Sequence, residues 1–474
     1  MAGSPPAVSA PRRFVVVTFA AALLAGVLVR AWLLDLAPRY GFLGDHVDYV
    51  CWGRQAIRAG VLDLYRHGPG TCLTDAPIDG RMQRLETGTG ERLNYPPLAA
   101  YAFALQGALL ERLDPDPVAN TKASRAVYAA STTLAELAIA LGLFSVVRGF
   151  ASVPAAAGAF AAAWLAPPLL LDGAFWGQTE SWVLAPGVWM VAAMTRGRWL
   201  SAGALWGVAL AAKPSGLIFA PLWLYAFLFR VPRARIVGAG LVAVLVLNLA
   251  ALPFWIDSGD AWLRATYLEN FVYRLQWTTA MSFNVWYADL LTTGILDPRT
   301  PLLGLARDTW GTLLLTGGLA GAYTLTRAWE RRDPARARFA ILPLAALVML
   351  AAVLLPTRIH STYGAFTTPF LIGTAFLLPR TTPGVATCLV TMSLQILSWQ
   401  WGNLLAMHVQ PDETIFPPAV RARRLELRRR DAPREWALTL ANLLAAAAVA
   451  GGVAATRRTP DDATPPADGT RAAR

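Results

Sequence analysis

The sequence predicts an all-α polytopic membrane protein, and three observations carry that expectation: 55% of its 474 residues are apolar, only 15% are charged, and mean hydropathy is +0.42. Ordinary soluble domains carry roughly 25% charged residues. A helix crosses about 30 Å of hydrocarbon with roughly 20 mostly apolar residues, because its backbone groups must be satisfied internally. Clear stretches of that kind are Phe14–Leu36, Pro154–Leu171, Ile236–Ile256, Phe339–Leu355 and Trp436–Ala455. Weaker or interrupted ones are Tyr95–Leu110, Ala126–Val147, Trp182–Thr195, Trp199–Phe229, Leu302–Thr326, Ala365–Leu378 and Gly384–Met407. The expected total is about 11 to 13 transmembrane helices.

The net charge of +12 does not point to nucleic acid, since the arginines are scattered through short loops between apolar spans. They read instead as orientation signals. Arg12-Arg13, Arg148, Arg196/Arg198, Arg230/Arg233/Arg235, the Arg327–Arg338 run and Arg457-Arg458 face the cytoplasm under the positive-inside rule. Five polar islands are then expected on the outer side: Asp45–Tyr95, Trp176–Ser181, Lys213, Trp255–Thr300 and Thr357–Tyr363. If Phe14–Leu36, Tyr95–Leu110 and Ala126–Val147 all cross, Arg148 falls outside, so one weaker span is expected to be interfacial or re-entrant. The basic stretch Arg421–Arg434 also falls on the outer side, where an amphipathic helix lying on lipid phosphates is the expected form.

Residues 1–13 and 456–474 read as disordered, the first on the cytoplasmic side and the second as a Pro-, Asp- and Ala-rich tail. Between them, residues 14–455 read as one transmembrane domain with outer loops at about 37–94 and 256–301. Phe14–Val29 after Arg12-Arg13 has the look of a signal peptide, but without a small-residue cleavage pattern it reads as a retained first helix. Of three cysteines, Cys51 and Cys72 share the first outer loop and can pair in an oxidising compartment, whereas Cys388 reads as packing. No His/Cys spacing suggests zinc.

In the first outer loop, Gly44-Asp45-His46-Val47-Asp48-Tyr49 opens a stretch with helical periodicity that continues to Tyr65, the pattern of an interfacial helix. Asp45 has two readings: an N-cap with Asp48 as third helical residue, or a general base toward an acceptor hydroxyl with Asp48 beside it. Asn94-Tyr95-Pro96-Pro97-Leu98 marks a helix start, with proline in the first turn. The segment Pro167 to Glu180 concentrates Asp172, Gln178 and Glu180 after an uncharged helix, and Gln178 and Glu180 have no packing reason to be there. Trp176 and Trp182 read as interfacial anchors.

Lys213-Pro214-Ser215-Gly216 interrupts an apolar run. A cation at that depth costs about 2.5 to 3.5 kcal/mol on insertion scales, so it needs a partner, a cavity or a bound phosphate, or else it snorkels. Arg274 and Phe283-Asn284-Val285-Trp286-Tyr287 lie in the large outer loop, and Arg358, His360, Ser361, Thr362 and Tyr363 form a compact group of phosphate-type donors.

The order of these elements resembles the GT-C superfamily of polytopic glycosyltransferases that use polyprenyl-phosphate sugars, most closely the glucosyltransferases of N-glycan precursor assembly and their bacterial mannosyltransferase-like relatives. The carrying motifs are Gly44-Asp45 with Tyr49/Trp52, Tyr95-Pro96-Pro97-Leu98, Pro168 through Gln178, Lys213, Asn284/Trp286 and His360-Ser361-Thr362. Glu180 stands where many bacterial relatives have Asp, and Ser361-Thr362 replace an acid and a base after the histidine. The resemblance implies a GT-C fold and inverting hexosyl transfer, with Asp45 as base. Asp48, Tyr95, Gln178 and Glu180 would line the acceptor side. Lys213, Arg274, Arg358, His360 and Tyr363 would hold the donor phosphate. It implies a polyprenyl-phosphate sugar donor, a lipid or glycan acceptor, contact with membrane lipids, no metal or other cofactor, and a site facing outward from a bacterial inner membrane. The rival readings are a transporter or flippase of lipid-linked saccharide, and an inactive scaffold of the same fold.

Overall fold

The computed structural model describes residues 12–66, 73–78, 80–86, 92–114, 118–269, 277–280, 282–295, 297–401 and 418–456. The chain runs through α1 (Arg12–Tyr40), α2 (Gly44–Arg58), the antiparallel hairpin β1 (Leu73–Ile78) and β2 (Arg81–Glu86), α3 (Pro97–Leu113), α4 (Lys122–Arg148), α5 (Val153–Trp164) and α6 (Pro167–Leu170). It continues through α7 (Glu180–Thr195), α8 (Trp199–Ala212), α9 (Ala220–Phe229), α10 (Arg233–Ser258) and the short α11 (Ala261–Leu263). Next come β3 (Thr279–Ala280), α12 (Val285–Thr293), the small pair β4 (Pro301–Leu302) and β5 (Leu305–Ala306), and α13 (Arg307–Arg332). The last elements are α14 (Ile341–Leu354), β6 (Ile359–His360), α15 (Thr368–Leu377), α16 (Thr382–Trp401) and α17 (Pro418–Ala454).

Every stretch predicted to span contains a helix, and six helical stretches among the described residues are long and apolar enough to cross a bilayer unaided. These are Val15–Tyr40, Lys122–Arg148, Val153–Trp176, Arg233–Ser258, Ala337–Leu354 and Ala432–Ala454. Leucines and valines along α1 and α10 stay exposed, as lipid-facing positions should, while α14 is almost wholly enclosed by its neighbours. Where helices approach closely the contact is made of small residues. A Cβ at Gly203 or Gly207 of α8 would collide with the Ala239 or Ala243 carbonyl of α10, the small-residue packing that lets helix backbones meet in lipid.

The two ends of the bundle differ in charge. Phe19, early in α1, lies 5.1 Å from Phe144, late in α4, and 4.3 Å from Phe160 of α5. At that end Arg196 bonds Ser145, Phe150 meets Phe339, and Arg230 pairs with Glu330. Of the arginines predicted to share one side, Arg148, Arg196/Arg198, Arg230 and the Arg327–Arg338 run therefore gather there, whereas Arg457-Arg458 lie outside the described residues. At the opposite end, Asn120 donates to the Pro38 carbonyl, Lys122 pairs with Asp35, and Tyr95 meets Tyr49 and Tyr65.

That geometry resolves the misfit around Arg148. Both Tyr95, just before α3, and Asn120, just before α4, sit at the Asp45 end, so the segment that contains α3 starts and finishes at one end of the bundle and α3 is not a full crossing. It lies instead against α2, where a Cβ at Gly107 would strike the Gly53 carbonyl. The single interfacial helix predicted from His46 to Tyr65 is corrected to two pieces: Gly60, at φ +96°, breaks it after α2, and a 3₁₀ turn covers Val61–Tyr65. Nor does α2 show one wet face, since His46 through Gly53 are all buried under α3 and α4. Arg421–Arg434 is helical, as expected, but continuous with the last span in α17. The termini read as disordered, residues 1–11 and 457–474, lie outside the described residues.

Candidate active site

The site is built where four chain breaks meet at the end opposite the arginine-rich loops. At the first, α2 begins with Leu43 as N-cap and no capping side chain, so Asp45 is the second helical residue and not the N-cap expected. Its carboxylate turns to other segments: Oδ2 accepts from Trp176 Nε1 at 2.9 Å and from Gln178 Nε2 at 2.5 Å. Asp48 is buried one turn further along.

The second break explains how Trp176 and Gln178 reach Asp45. Pro167 and Pro168 start a new helix with proline in its first turn, and a π-helical turn at Leu171–Trp176 follows. Gly177 then ends the turn at φ +89°, a left-handed conformation that costs glycine little. The Gln178 N–H returns to the Asp172 carbonyl at 2.9 Å, which points the Gln178 side chain back toward α2. Trp176 is completely buried, so it is no interfacial anchor, and its indole N–H is committed to Asp45.

A buried guanidinium fixes both partners. Arg125, in the first turn of α4, donates to the Trp176 carbonyl at 3.0 Å, the Phe42 carbonyl at 2.8 Å and Asn120 Oδ1 at 2.8 Å. One side chain thus holds the segment before Asp45 and the segment bearing Trp176 in register. Aromatics close the wall: Tyr49 Oη donates to Gln178 Oε1 at 3.4 Å and lies 3.2 Å from Tyr95 Oη, while Tyr65 Oη donates to the Tyr95 carbonyl at 2.5 Å.

The third break is at Lys213, which ends α8 in extended backbone before a 3₁₀ turn at Pro214–Phe219. Its ammonium does not snorkel. Nζ donates to Glu180 Oε1 at 2.7 Å, and Glu180 is 1% exposed. Lys213 Nζ also stands 5.2 Å from the Tyr95 ring centre, within range of a cation–π contact.

The fourth break carries His360. Parallel pairing of β3 with β6 sets Thr279 opposite Ile359 and Ala280 opposite His360, fastening the loop before α12 to the loop after α14. Thr362 Oγ1 donates to Glu180 Oε1 at 3.3 Å and lies 3.0 Å from His360 Nδ1, which also accepts the Thr362 N–H at 3.3 Å. Burial, followed by the nearby Lys213 charge, pushes the His360 pKa down to about 3, so the ring is neutral at physiological pH. The Trp176 and His360 rings meet edge to face at 5.7 Å, joining the Asp45 half of the site to the Lys213 half. Burial, then the negative charge of Glu180, holds the Tyr363 phenol protonated well above its ordinary range, with Tyr95 and Asp45 adding to the effect and Lys213 opposing it.

Asp45, Tyr95, Gln178, Glu180, Lys213, His360 and Tyr363 thus share one neighbourhood. Arg358 sits at its edge: held at φ +63°, it places NH2 3.5 Å from Asp308 Oδ2 at the start of α13. Arg274 lies outside the described residues. Sequence reasoning missed Arg125 and the roles of Trp176 and Thr362. Arginine inside the first turn of an otherwise apolar helix was the available signal for the first of these.

Cys51, on α2 beyond Asp45, is disulfide-bonded, and Cys388 is a buried free thiol. Cys72, the partner expected for Cys51, lies outside the described residues.

Among solved structures the chain is similar to ArnT from Cupriavidus metallidurans bound to undecaprenyl phosphate, at 15% identity and TM-score 0.48, covering 94% of this chain and 78% of that one. It is similar to the Archaeoglobus fulgidus oligosaccharyltransferase in the apo form, at 15% identity and TM-score 0.44, covering 91% of this chain but only 56% of that one. No curated protein matches it. The glycosyltransferase family 87 profile matches residues 93–357, taking in Tyr95, Gln178, Glu180 and Lys213 and stopping short of Asp45 on one side and His360 on the other. With more than half of its length inside that profile, the chain belongs to glycosyltransferase family 87.

Proposed function

We propose that this membrane glycosyltransferase moves a hexose from a polyprenyl-phosphate carrier to a lipid or cell-envelope acceptor, with inversion at C1 and on the extracytoplasmic side. The observation that carries the reading is Asp45, aimed by two N–H donors toward a wall that also holds Lys213, His360 and Thr362. A base fixed in position and a donor-rich wall are what displacement at an anomeric carbon requires.

In the proposed step the acceptor oxygen bonds to C1 as the bond from C1 to the phosphate oxygen breaks. The acceptor proton passes to Asp45, and the bonding pair leaves on the polyprenyl phosphate. Lys213 keeps one N–H on Glu180 and has further protons for the departing oxyanion. His360 contributes as a neutral N–H donor, which stabilises charge without titrating. Such preorganised donors count most where water is excluded. The disulfide at Cys51 supports the sidedness, because disulfides persist in oxidising compartments and Cys51 shares α2 with Asp45.

The test is transfer of radiolabelled sugar from a panel of polyprenyl-phosphate monosaccharides by purified protein. Wild type is expected to transfer at least one, and Asp45→Asn to lose about 10²- to 10⁴-fold in kcat with its fold intact. Full transfer by the variant rejects Asp45 as base; no transfer by wild type from any donor favours a transporter or scaffold.

A further inference from the structure

The basic segment before the last span is not absorbed by this chemistry. Between Pro418 and Arg434 the chain carries seven arginines against Glu426 and Asp431. The structure makes the segment the first part of α17, whose apolar span begins only at Ala432. At 1.5 Å per residue the preceding helix has a length of about 20 Å.

The position of its root is fixed by firm contacts. Glu435 accepts from Tyr287 Oη at 2.8 Å, and Asn442 donates to the Phe283 carbonyl at 2.9 Å. The Phe283 N–H donates to Gln395 Oε1 at 2.7 Å, and Gln395 Nε2 donates to the Ser361 carbonyl, between His360 and Thr362. The other end of α17 meets Arg380 through Ala455. The arginine-rich helix therefore rises from the Asp45 end of the bundle, one layer of side chains away from the His360 loop. Its charge is the reverse of what orientation rules place there, since the other arginine-rich loops lie at the opposite end.

An interfacial helix needs one apolar stripe to insert between lipids. This segment lacks it: Leu425 and Leu427 stand about 200° apart round the helix axis, and consecutive Arg428, Arg429 and Arg430 cover a similar arc. By sequence pattern, charged positions thus fall on all sides of this stretch of helix, which describes a cationic rod without an apolar stripe. Guanidinium groups in such an array suit repeated oxyanions, each of which one arginine can hold by two hydrogen bonds.

We infer that the Arg421–Arg434 arm is a docking surface for a polyanionic polymer on the acceptor side, presenting it to the site beside His360. The acceptor role rests on the transferase reading; the binding does not. The probe is fluorescein-labelled inorganic polyphosphate, followed by anisotropy with the full chain in phosphatidylcholine nanodiscs. Replacing Arg428, Arg429 and Arg430 together by Gln is expected to weaken binding about tenfold or more and to flatten its salt dependence. The matched control, Arg331→Gln with Arg332→Gln and Arg338→Gln at the other end, is expected to stay within about twofold of wild type. No binding by wild type, or equal losses in both variants, overturns the inference. A bimane at Leu425→Cys that shifts to the blue when phosphatidylglycerol is added, while polyphosphate leaves it unmoved, assigns the arm to lipid and also overturns it. Because the readout is binding, its failure is separable from a failure of sugar transfer.

Discussion

Lys213 Nζ lies 2.7 Å from Glu180 Oε1, and the ion pair joins two helix breaks 33 residues apart in sequence. Neither group has another full charge of opposite sign bonded to it among the described residues, and both are enclosed by the bundle. The lysine is thus already compensated within the fold, which answers the cost of placing a cation inside an apolar run.

A double-mutant cycle tests that relationship. Lys213→Met leaves the Glu180 charge buried alone and is expected to lower stability by about 3 to 5 kcal/mol. Adding Glu180→Leu removes the orphaned charge and is expected to recover much of the loss, because a buried pair replaced by apolar groups of similar volume is often close to neutral. Thermal unfolding in one detergent reads all four proteins. Additive losses would mean that the two residues do not act as a pair.

How legible this was in the sequence differs by residue. Lys213 announced itself, because a charge flanked by Pro214 and Gly216 in an apolar run has few explanations. Its partner did not, since pairing across 33 residues is decided by how α7 and α8 lie together. Asp45 was legible as an acid at a helix start, yet the same pattern serves capping. Only the Trp176 and Gln178 contacts decide that its side chain faces elsewhere. Trp176 was misread because tryptophan near a span end is usually an anchor, and its true aim depends on a π-helical turn closed by Gly177. Hydropathy found α3 as an apolar segment but carries no information on whether a segment crosses or returns.

The second prediction concerns His360 and acid. Its folded pKa, about 3, lies below the ordinary 6.5, so the unfolded chain binds this proton first. Stability contributed by the neutral ring is therefore present above about pH 6.5 and is lost as pH falls toward 3. Wild type is expected to show a steeper acid loss than His360→Gln, by up to about 1.4 kcal/mol per pH unit in that window. His46, also held well below its ordinary value by burial, is present in both proteins and cancels in the difference. Chemical denaturation at a series of pH values measures it; identical slopes would mean that His360 is accessible to protons in the native state.

The last prediction fixes the side of the membrane. Arg81 is exposed on the hairpin at the Asp45 end, and Arg331 is exposed at the arginine-rich end. Cysteine placed at each reports independently, because Cys51 is bonded and Cys388 is buried. In right-side-out membrane vesicles an impermeant maleimide is expected to label Arg81→Cys directly and Arg331→Cys only after permeabilisation. The positive-inside bias and the disulfide at Cys51 lead to that same pattern by unrelated physics, one through insertion energetics and the other through redox chemistry. The reverse pattern would put Asp45, Lys213 and His360 in the cytoplasm, where activated sugars carried on soluble nucleotides are at hand, and the polyprenyl-phosphate donor would lose its main support.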